Sequence, residues 1–375
     1  MLQRSPLHKF HLEHGGQMVD FAGWEMPIRY GGIIEEHNQV RTAGGVFDVS
    51  HMGRVEFKGR HARRILERLC TRRISDMQAG QCRYSLCCNE RGGVHDDVIV
   101  YRMDDDEFMM VVNGANREKM VAHFEAVKKA GEFNCSIEDK TLNTAMVALQ
   151  GPKVMGLVSG FSKEIPALKR YRFAVKNLLI VKLLVSRTGY TGEDGIEVIL
   201  PANMIDMVLK LILKDVDMKG AEAILKPAGL GARDSLRTEA GMPLYGHELG
   251  EDINALECGV DFAISLDKDQ DERGEKFIGM DALKATAASG GPKRRLVGMT
   301  FTGKRTVRQG NPISIGGEPV GVVTSGCLSP TLDKPIAMGF VAASKAGPGT
   351  AVHVDTGRGV LEGTIVALPF YKAAK

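Results

Sequence analysis

The sequence predicts a body of mixed helices and strands, α+β or α/β, followed by a small all-β barrel or sandwich. Short strand-like runs alternate with amphipathic helical runs through the first 280 residues or so. At "KATAASGGPKRR", Lys284 to Arg295, the chain turns into a basic, small-residue stretch of linker type. Beyond it "RLVGMTF", "PISIGGEPVGVVTSG", "AMGFVA" and "TAVHVDTGRGVLEGTIVALPF" are short apolar runs parted by turn residues, with no helical period over about 80 residues.

Taken in chain order, His8, His11 and His14 have a metal-like spacing, but no H-E-x-x-H pattern accompanies them. They read as solvated or core-satisfying side chains. "GGVFDVSHMGR", Gly44 to Arg54, contains Asp48, Ser50 and His51, yet neighbouring Ser and His on an extended segment cannot form a nucleophilic triad, and no G-x-S-x-G elbow is present. A loop entering the strand "RVEF" is expected there. "ARRILERLCTRR", Ala62 to Arg73, reads as a helix; with Arg60, Arg63, Arg64, Arg68, Arg72 and Arg73 its outer side is basic, a solvated face or a dock for an acidic partner.

"GGVHDDVIVY", Gly92 to Tyr101, places two aspartates before a β-branched run. Side chains alternate along a strand, so Asp96 and Asp97 must point to opposite faces and at most one shares a given pocket. "FMMVVN" follows as a second strand. In "RTGYTGEDGIEV", Arg187 to Val198, a glycine-rich turn hands over to a strand bearing Glu197. That carboxylate suits an amidine-like edge such as a pterin or purine offers, although an exposed hairpin Glu is the ordinary reading.

"NMIDMVLKLILKD", Asn203 to Asp215, reads as a helix capped by Asn203 with Met204, Met207, Val208, Leu211 and Ile212 as its apolar stripe. "GLGARDSLRTEAGMPLYG", Gly229 to Gly246, is not a dinucleotide fingerprint, because Asp234 stands where the third glycine belongs. A helix over Ala232 to Ala240 instead sets Arg233 and Arg237 on one face, Arg233 near its start where it can clamp an anion or a ring carbonyl.

The 49 Lys and Arg against 46 Asp and Glu argue against general nucleic-acid or membrane-surface binding. Seven irregularly spaced cysteines with no C-x-x-C pair point to neither a disulfide framework nor a zinc site. The longest apolar run, "LLIVKLLV" from Leu178 to Val185, is too short to span a bilayer, and the first residues carry no secretory signal or transit peptide. A mature mitochondrial protein and a bacterial cytosolic one both fit.

In family order, "FAGWEMPI", "FDVSHMG", "GGVHDDVIVY", "VVNGANREK", "ALQGP", "GYTGEDGIE", "GLGARDSLRTEAGMPLYG" and "VTSGCLSP" resemble the glycine cleavage system T proteins, from about residue 5 to Tyr371. The resemblance implies an α+β, three-domain, cloverleaf-like arrangement around a folate channel, with a C-terminal β-barrel. It divides the chain into a 1–285 body and a barrel at 293–375, the body being two interleaved α+β subdomains, roughly 1–50 with 140–225 and 51–139 with 226–285.

The implied activity passes the one-carbon unit of an aminomethyl group on the lipoyl arm of H protein to tetrahydrofolate, with no metal and no nucleotide. It yields 5,10-methylenetetrahydrofolate, ammonia and dihydrolipoyl protein. A tetrahydrofolate-dependent demethylase and a non-catalytic folate-binding scaffold are the alternatives. By the same resemblance Asp97 is the catalytic carboxylate beside folate N10, Glu197 recognises the pterin, and Arg233 and Tyr371 complete the site. Met52, Tyr84, Val111, Asn113 and Tyr190 line the pocket, with Tyr245 a neighbour. Phe262 stands where relatives often carry Trp, keeping an aromatic face without the indole N–H. Asp96 is left a structural role, bonding backbone N–H groups of "RGGVH", while Ile99 and Tyr101 share the side of Asp97.

Overall fold

The fold was obtained as a computed structural model, which describes residues 2–178, 180–212, 218, 220 and 222–373. A three-stranded sheet is built from residues 3–29. A six-stranded sheet gathers Gly45–Asp48, Thr144–Gln150, Phe173–Leu178, Val181–Ser186, Gly195–Pro201 and Lys226–Pro227. A five-stranded sheet uses Gly53–Lys58, Cys82–Cys88, Val94–Arg102, Glu107–Val112 and Ser136–Asp139. The six strands from Arg294–Phe301 to Val360–Val366 close into a barrel, which decides the sequence-level choice between barrel and sandwich.

Alternation along the strands generates three apolar layers. Ile196, Val198 and Leu200 face outward, onto the helices Val154–Ser159 and Ile205–Ile212. Val98, Val100, Met110 and Val112 face the helices Ala62–Leu69 and Arg117–Ala130. The odd-numbered residues of the same strands, Ile99, Tyr101, Met109, Val111 and Ile199, meet Phe47, Met146 and Ala148 in a middle layer where the two sheets pack face to face. Each fully buried aliphatic or aromatic side chain in such a layer contributes about 1.5–3 kcal/mol.

Some local expectations change. The Ala62 helix stops at Leu69 because Cys70 is extended; Lys268 Nζ donates to the carbonyls of Glu67 and Cys70, both at 2.8 Å, and ends the helix from outside. The arginine side of that helix is largely used within the chain: Arg64 pairs with Glu275, Arg68 donates to the Lys276 carbonyl, and Arg73 bonds Asp271. On the later helix the buried face runs through Ile205 and Val208, leaving Met207 and Leu211 exposed, and Asn203 lies inside a preceding 3-10 turn rather than capping. Residues 213–215 of that expected helix lie outside the described residues. His11 is core-satisfying, its Nε2 2.8 Å from buried Asp48, which also accepts from Ser5; Asp48 is thus occupied by the N-terminal segment and not by His51. All seven cysteines are free.

The barrel is joined to the body through buried polar groups. Glu239, at the end of the helix Leu230–Glu239, accepts from Arg41, Ser329 and Thr331, and His37 Nε2 lies 3.2 Å away. A bulge between Val323 and Ser325 aims the Ser325 hydroxyl at Glu248 and places it to accept from Arg237. Burial opposes ionisation of Glu239, but the bonds from His37, Ser329 and Thr331 outweigh it and hold the carboxyl at about 2. Its folded value therefore lies below its unfolded one, so its stabilisation is complete above about pH 4.5 and is lost as pH falls towards 2. Glu239→Ala would remove the acceptor shared by His37, Ser329 and Thr331 while Arg41 keeps Glu193, and is expected to cost about 1–3 kcal/mol, read as a lower urea midpoint at pH 7.

Candidate functional site

The middle layer is apolar, yet several ionisable side chains enter it. Strand parity puts Asp97 on the same face as Ile99 and Tyr101, and Glu197 on the same face as Ile199, so each carboxylate turns towards the other sheet. Glu197 is 5% exposed, and the hairpin reading of an exposed Glu is overturned. A buried hydroxyl chain leads to it. Thr188 donates to Glu197 Oε2 at 2.5 Å, Thr188 and Ser186 hydroxyls lie 2.6 Å apart, and Tyr101 Oη lies 3.3 Å from Ser186, joining the two sheets.

Arg233 enters from the helix Leu230–Glu239, whose first turn packs tightly because Gly229 has no side chain: a Cβ there would stand 2.4 Å from the Ile28 carbonyl oxygen. The guanidinium lies over the Tyr190 ring at 4.9 Å, and its Nη1 is buried with no partner among the described residues. Burial lowers the Arg233 pKa, partly countered by Glu197 and Tyr190. Tyr190 itself donates to the Pro243 carbonyl at 2.5 Å.

Asp97 accepts from Asn113 Nδ2 at 2.7 Å and from the Tyr84 hydroxyl at 3.2 Å. Asp96, on the opposite face and fully buried, accepts from Asn113 N at 3.0 Å, Asn113 Nδ2 at 2.8 Å and Asn116 Nδ2 at 2.7 Å. The expected bonds to the "RGGVH" loop are replaced by these, because the Glu107–Val112 strand ends beside Asp96 and the following turn presents its amides there. One Asn113 amide therefore serves both aspartates, so opposite orientation does not make them independent. Burial pushes both carboxyls up, helped for Asp96 by the charge of Asp97; Asp97 reaches about 6.

Met52 and Val111 pack in the same layer. The Tyr84 ring lies 5.8 Å from that of Phe262, the planes tilted by 32°, and Phe262 is 62% exposed and so stands at the outer rim rather than within the lining. Tyr245 accepts from Lys119 at 2.8 Å. Tyr371 belongs to a separate group: Arg41 lies 3.9 Å over its ring, its N–H donates to the Glu239 carbonyl, and Glu193 stands by its hydroxyl. No direct contact joins it to Asp97, Glu197 or Arg233 among the described residues. A surface cleft of about 550 Å³, lined by Arg64, Arg68, Val127, Phe133 and Lys276, contains none of the sequence-predicted site residues. No group of three or more His, Cys, Asp or Glu able to hold a metal occurs among the described residues.

Sequence reading missed Thr188, Asn116 and Ser186, whose roles depend on cross-sheet register, and His51, which it treated only as a failed triad member. Chemically, the layer offers two carboxylates and a guanidinium with a free N–H in a low-dielectric space, an arrangement for binding a flat polar heterocycle and holding a proton at one of its nitrogens.

Residues 7–268 match the family model described as GCVT N-terminal domain, and residues 294–372 that of the glycine cleavage T-protein C-terminal barrel domain. The chain is 44% identical over 373 residues to an aminomethyltransferase of Rubrobacter xylanophilus, covering 99% of this chain and 95% of the relative. It is 41% identical to the aminomethyltransferase of Bacillus pumilus, with both chains covered in full. The crystal structure of glycine cleavage system aminomethyltransferase T from Bartonella henselae superposes with a TM-score of 0.89 at 30% identity, covering 100% of this chain and 99% of that one.

Asn113→Ala removes the donor shared by the two aspartates. Followed by carboxyl-carbon NMR, the Asp97 titration is expected near pH 6 in the parent chain and at higher pH in the variant, where only Tyr84 and a backbone bond still offset burial.

Proposed function

Because the chain belongs to the glycine cleavage T-protein family and is an aminomethyltransferase, we propose that it transfers the one-carbon unit of the aminomethyl-lipoyl arm of H protein to tetrahydrofolate. The products are 5,10-methylenetetrahydrofolate, ammonia and dihydrolipoyl protein. The observation that carries the reading is the buried, unpartnered Nη1 of Arg233 in the layer that Glu197 also faces. A donor of that kind, sealed in an apolar layer, fits a polar ligand that the protein alone does not replace.

Tetrahydrofolate brings two nucleophilic nitrogens and a pterin edge rich in N–H donors. Glu197 accepts those donors, its Oε1 having no partner among the described residues, and Arg233 donates to the ring. Tyr190 supports the guanidinium from below. Asp97 holds the N10 proton and accepts it as the new bond forms, while Asn113 and Tyr84 fix the orientation of its carboxylate. Met52 and Val111 supply apolar walls, and Phe262 with Tyr84 forms the rim. Tyr371, set by Arg41 and Glu193, serves the substrate from the barrel side. The relatives named above are bacterial, which favours a bacterial cytoplasm over the mitochondrial matrix.

The deciding experiment mixes the chain with aminomethylated H protein and tetrahydrofolate and measures ammonia. Absence of release with a competent H protein would move the chain to the demethylase or scaffold reading. Asp97→Asn is expected to lower kcat by about 10²–10⁴-fold with tetrahydrofolate binding kept. In the parent chain kcat/KM is expected to rise with pH through about 6, as Asp97 loses its proton and becomes a base.

A further inference from the structure

The proposed transfer moves two protons, and Asp97 accounts for one. In it the migrating carbon gives up a bond to sulfur and a bond to the amine nitrogen and gains bonds to N5 and N10. The N5 and N10 protons end one on ammonia and one on the lipoyl sulfur, with no oxidant or reductant involved. We infer that His51 is the second proton carrier, taking a proton from a ligand N–H at one ring nitrogen and releasing one from the other to the departing atom. This rests on the reaction proposed above.

The placement of the ring supports the assignment. His51 is 4% exposed, Nδ1 is buried without a partner, and neither ring nitrogen is hydrogen-bonded among the described residues. Its ring meets Phe21 edge-on, with centroids 5.3 Å apart and planes at 81°. On another side lies the turn that follows Asn113. A Cβ on Gly114 would stand 2.5 Å from the His51 carbonyl oxygen and 3.1 Å from its Cδ2, so glycine is what lets this turn approach. Asn113 is the residue that holds Asp97. The Arg233 charge is felt at His51, and the free Nη1 of Arg233 belongs to the same layer.

The imidazole therefore packs against the turn that positions Asp97 and lies within electrostatic reach of the Arg233 guanidinium. His51 Nδ1 and Arg233 Nη1 are two of the buried polar atoms without partners among the described residues, and a ligand bound in this layer could satisfy both. Burial first, then the charges of Arg233 and Arg54, hold the ring at about 4 despite Asp48, so it is neutral at physiological pH. A neutral ring with two free nitrogens can relay a proton by exchanging tautomers, never bearing net charge, which suits a site that penalises charge.

The test uses the full chain with imidazole nitrogens labelled. Tetrahydrofolate added to the parent chain is expected to shift the ring resonances of His51, assigned by loss in His51→Asn and His51→Gln. In single turnover with aminomethylated H protein, His51→Gln is expected to slow ammonia release by about 10²–10⁴-fold, with tetrahydrofolate affinity changed less than about threefold. Unshifted His51 resonances at saturating tetrahydrofolate would sink the inference, as would a variant releasing ammonia within about threefold of the parent rate. A parent chain that binds tetrahydrofolate but releases no ammonia would overturn the reaction reading and the relay together; binding with His51 unshifted and ammonia released normally would overturn the relay alone.

Discussion

The structure turns on one constraint: two sheets bury their facing sides against each other, so any polar group between them must find a partner there or wait for one. Most do. Tyr101, Ser186, Thr188 and Glu197 form a continuous hydroxyl-to-carboxylate chain across the gap, and Asn113 satisfies two aspartates with one amide. An unpaired buried donor or acceptor costs about 1–3 kcal/mol, so these chains are what makes a polar interior tolerable. A few buried groups stay outside them. Arg233 Nη1 and His51 Nδ1 are two buried atoms for which the hydrogen-bond accounting stays open among the described residues.

Much of this was legible in the residues. Strand parity separated Asp96 from Asp97 and placed Ile99 and Tyr101 beside the latter, because alternation is a property of the extended backbone and needs no tertiary knowledge. The all-β character of the C-terminal part showed in its short runs between turns, whereas the choice of barrel over sandwich waited on strand closure. Glu197 was less legible: its burial comes from the facing sheet, and nothing within "GEDGIEV" reveals that a second sheet covers it. Asp96 misled for a related reason, since its partners Asn113 and Asn116 lie 17 and 20 residues away and reach it only through the pairing of two strands. Local pattern pointed to the adjacent loop instead.

The arginine-rich helix shows the opposite failure. Its charge was visible, but charge pattern cannot say whether a cation faces water, a partner or the chain itself. Here the 267–276 segment takes up much of it, through Asp271, Glu275 and the Lys276 carbonyl. Ion pairs of this exposed kind add little stability individually, and their effect is to pin an irregular segment against the helix.

The Glu239 joint also bears on synthesis. A chain made from its N-terminus reaches Glu239 well before Thr331, 92 residues later, and Tyr371 emerges later still. Until they arrive, a buried carboxylate and Arg41 face each other without the groups that complete their shell. A ribosome-bound intermediate can fold its sheets early, as domains commonly do, yet it cannot close the joint until Thr331 has emerged, nor dock the Tyr371 N–H on the Glu239 carbonyl until that residue follows.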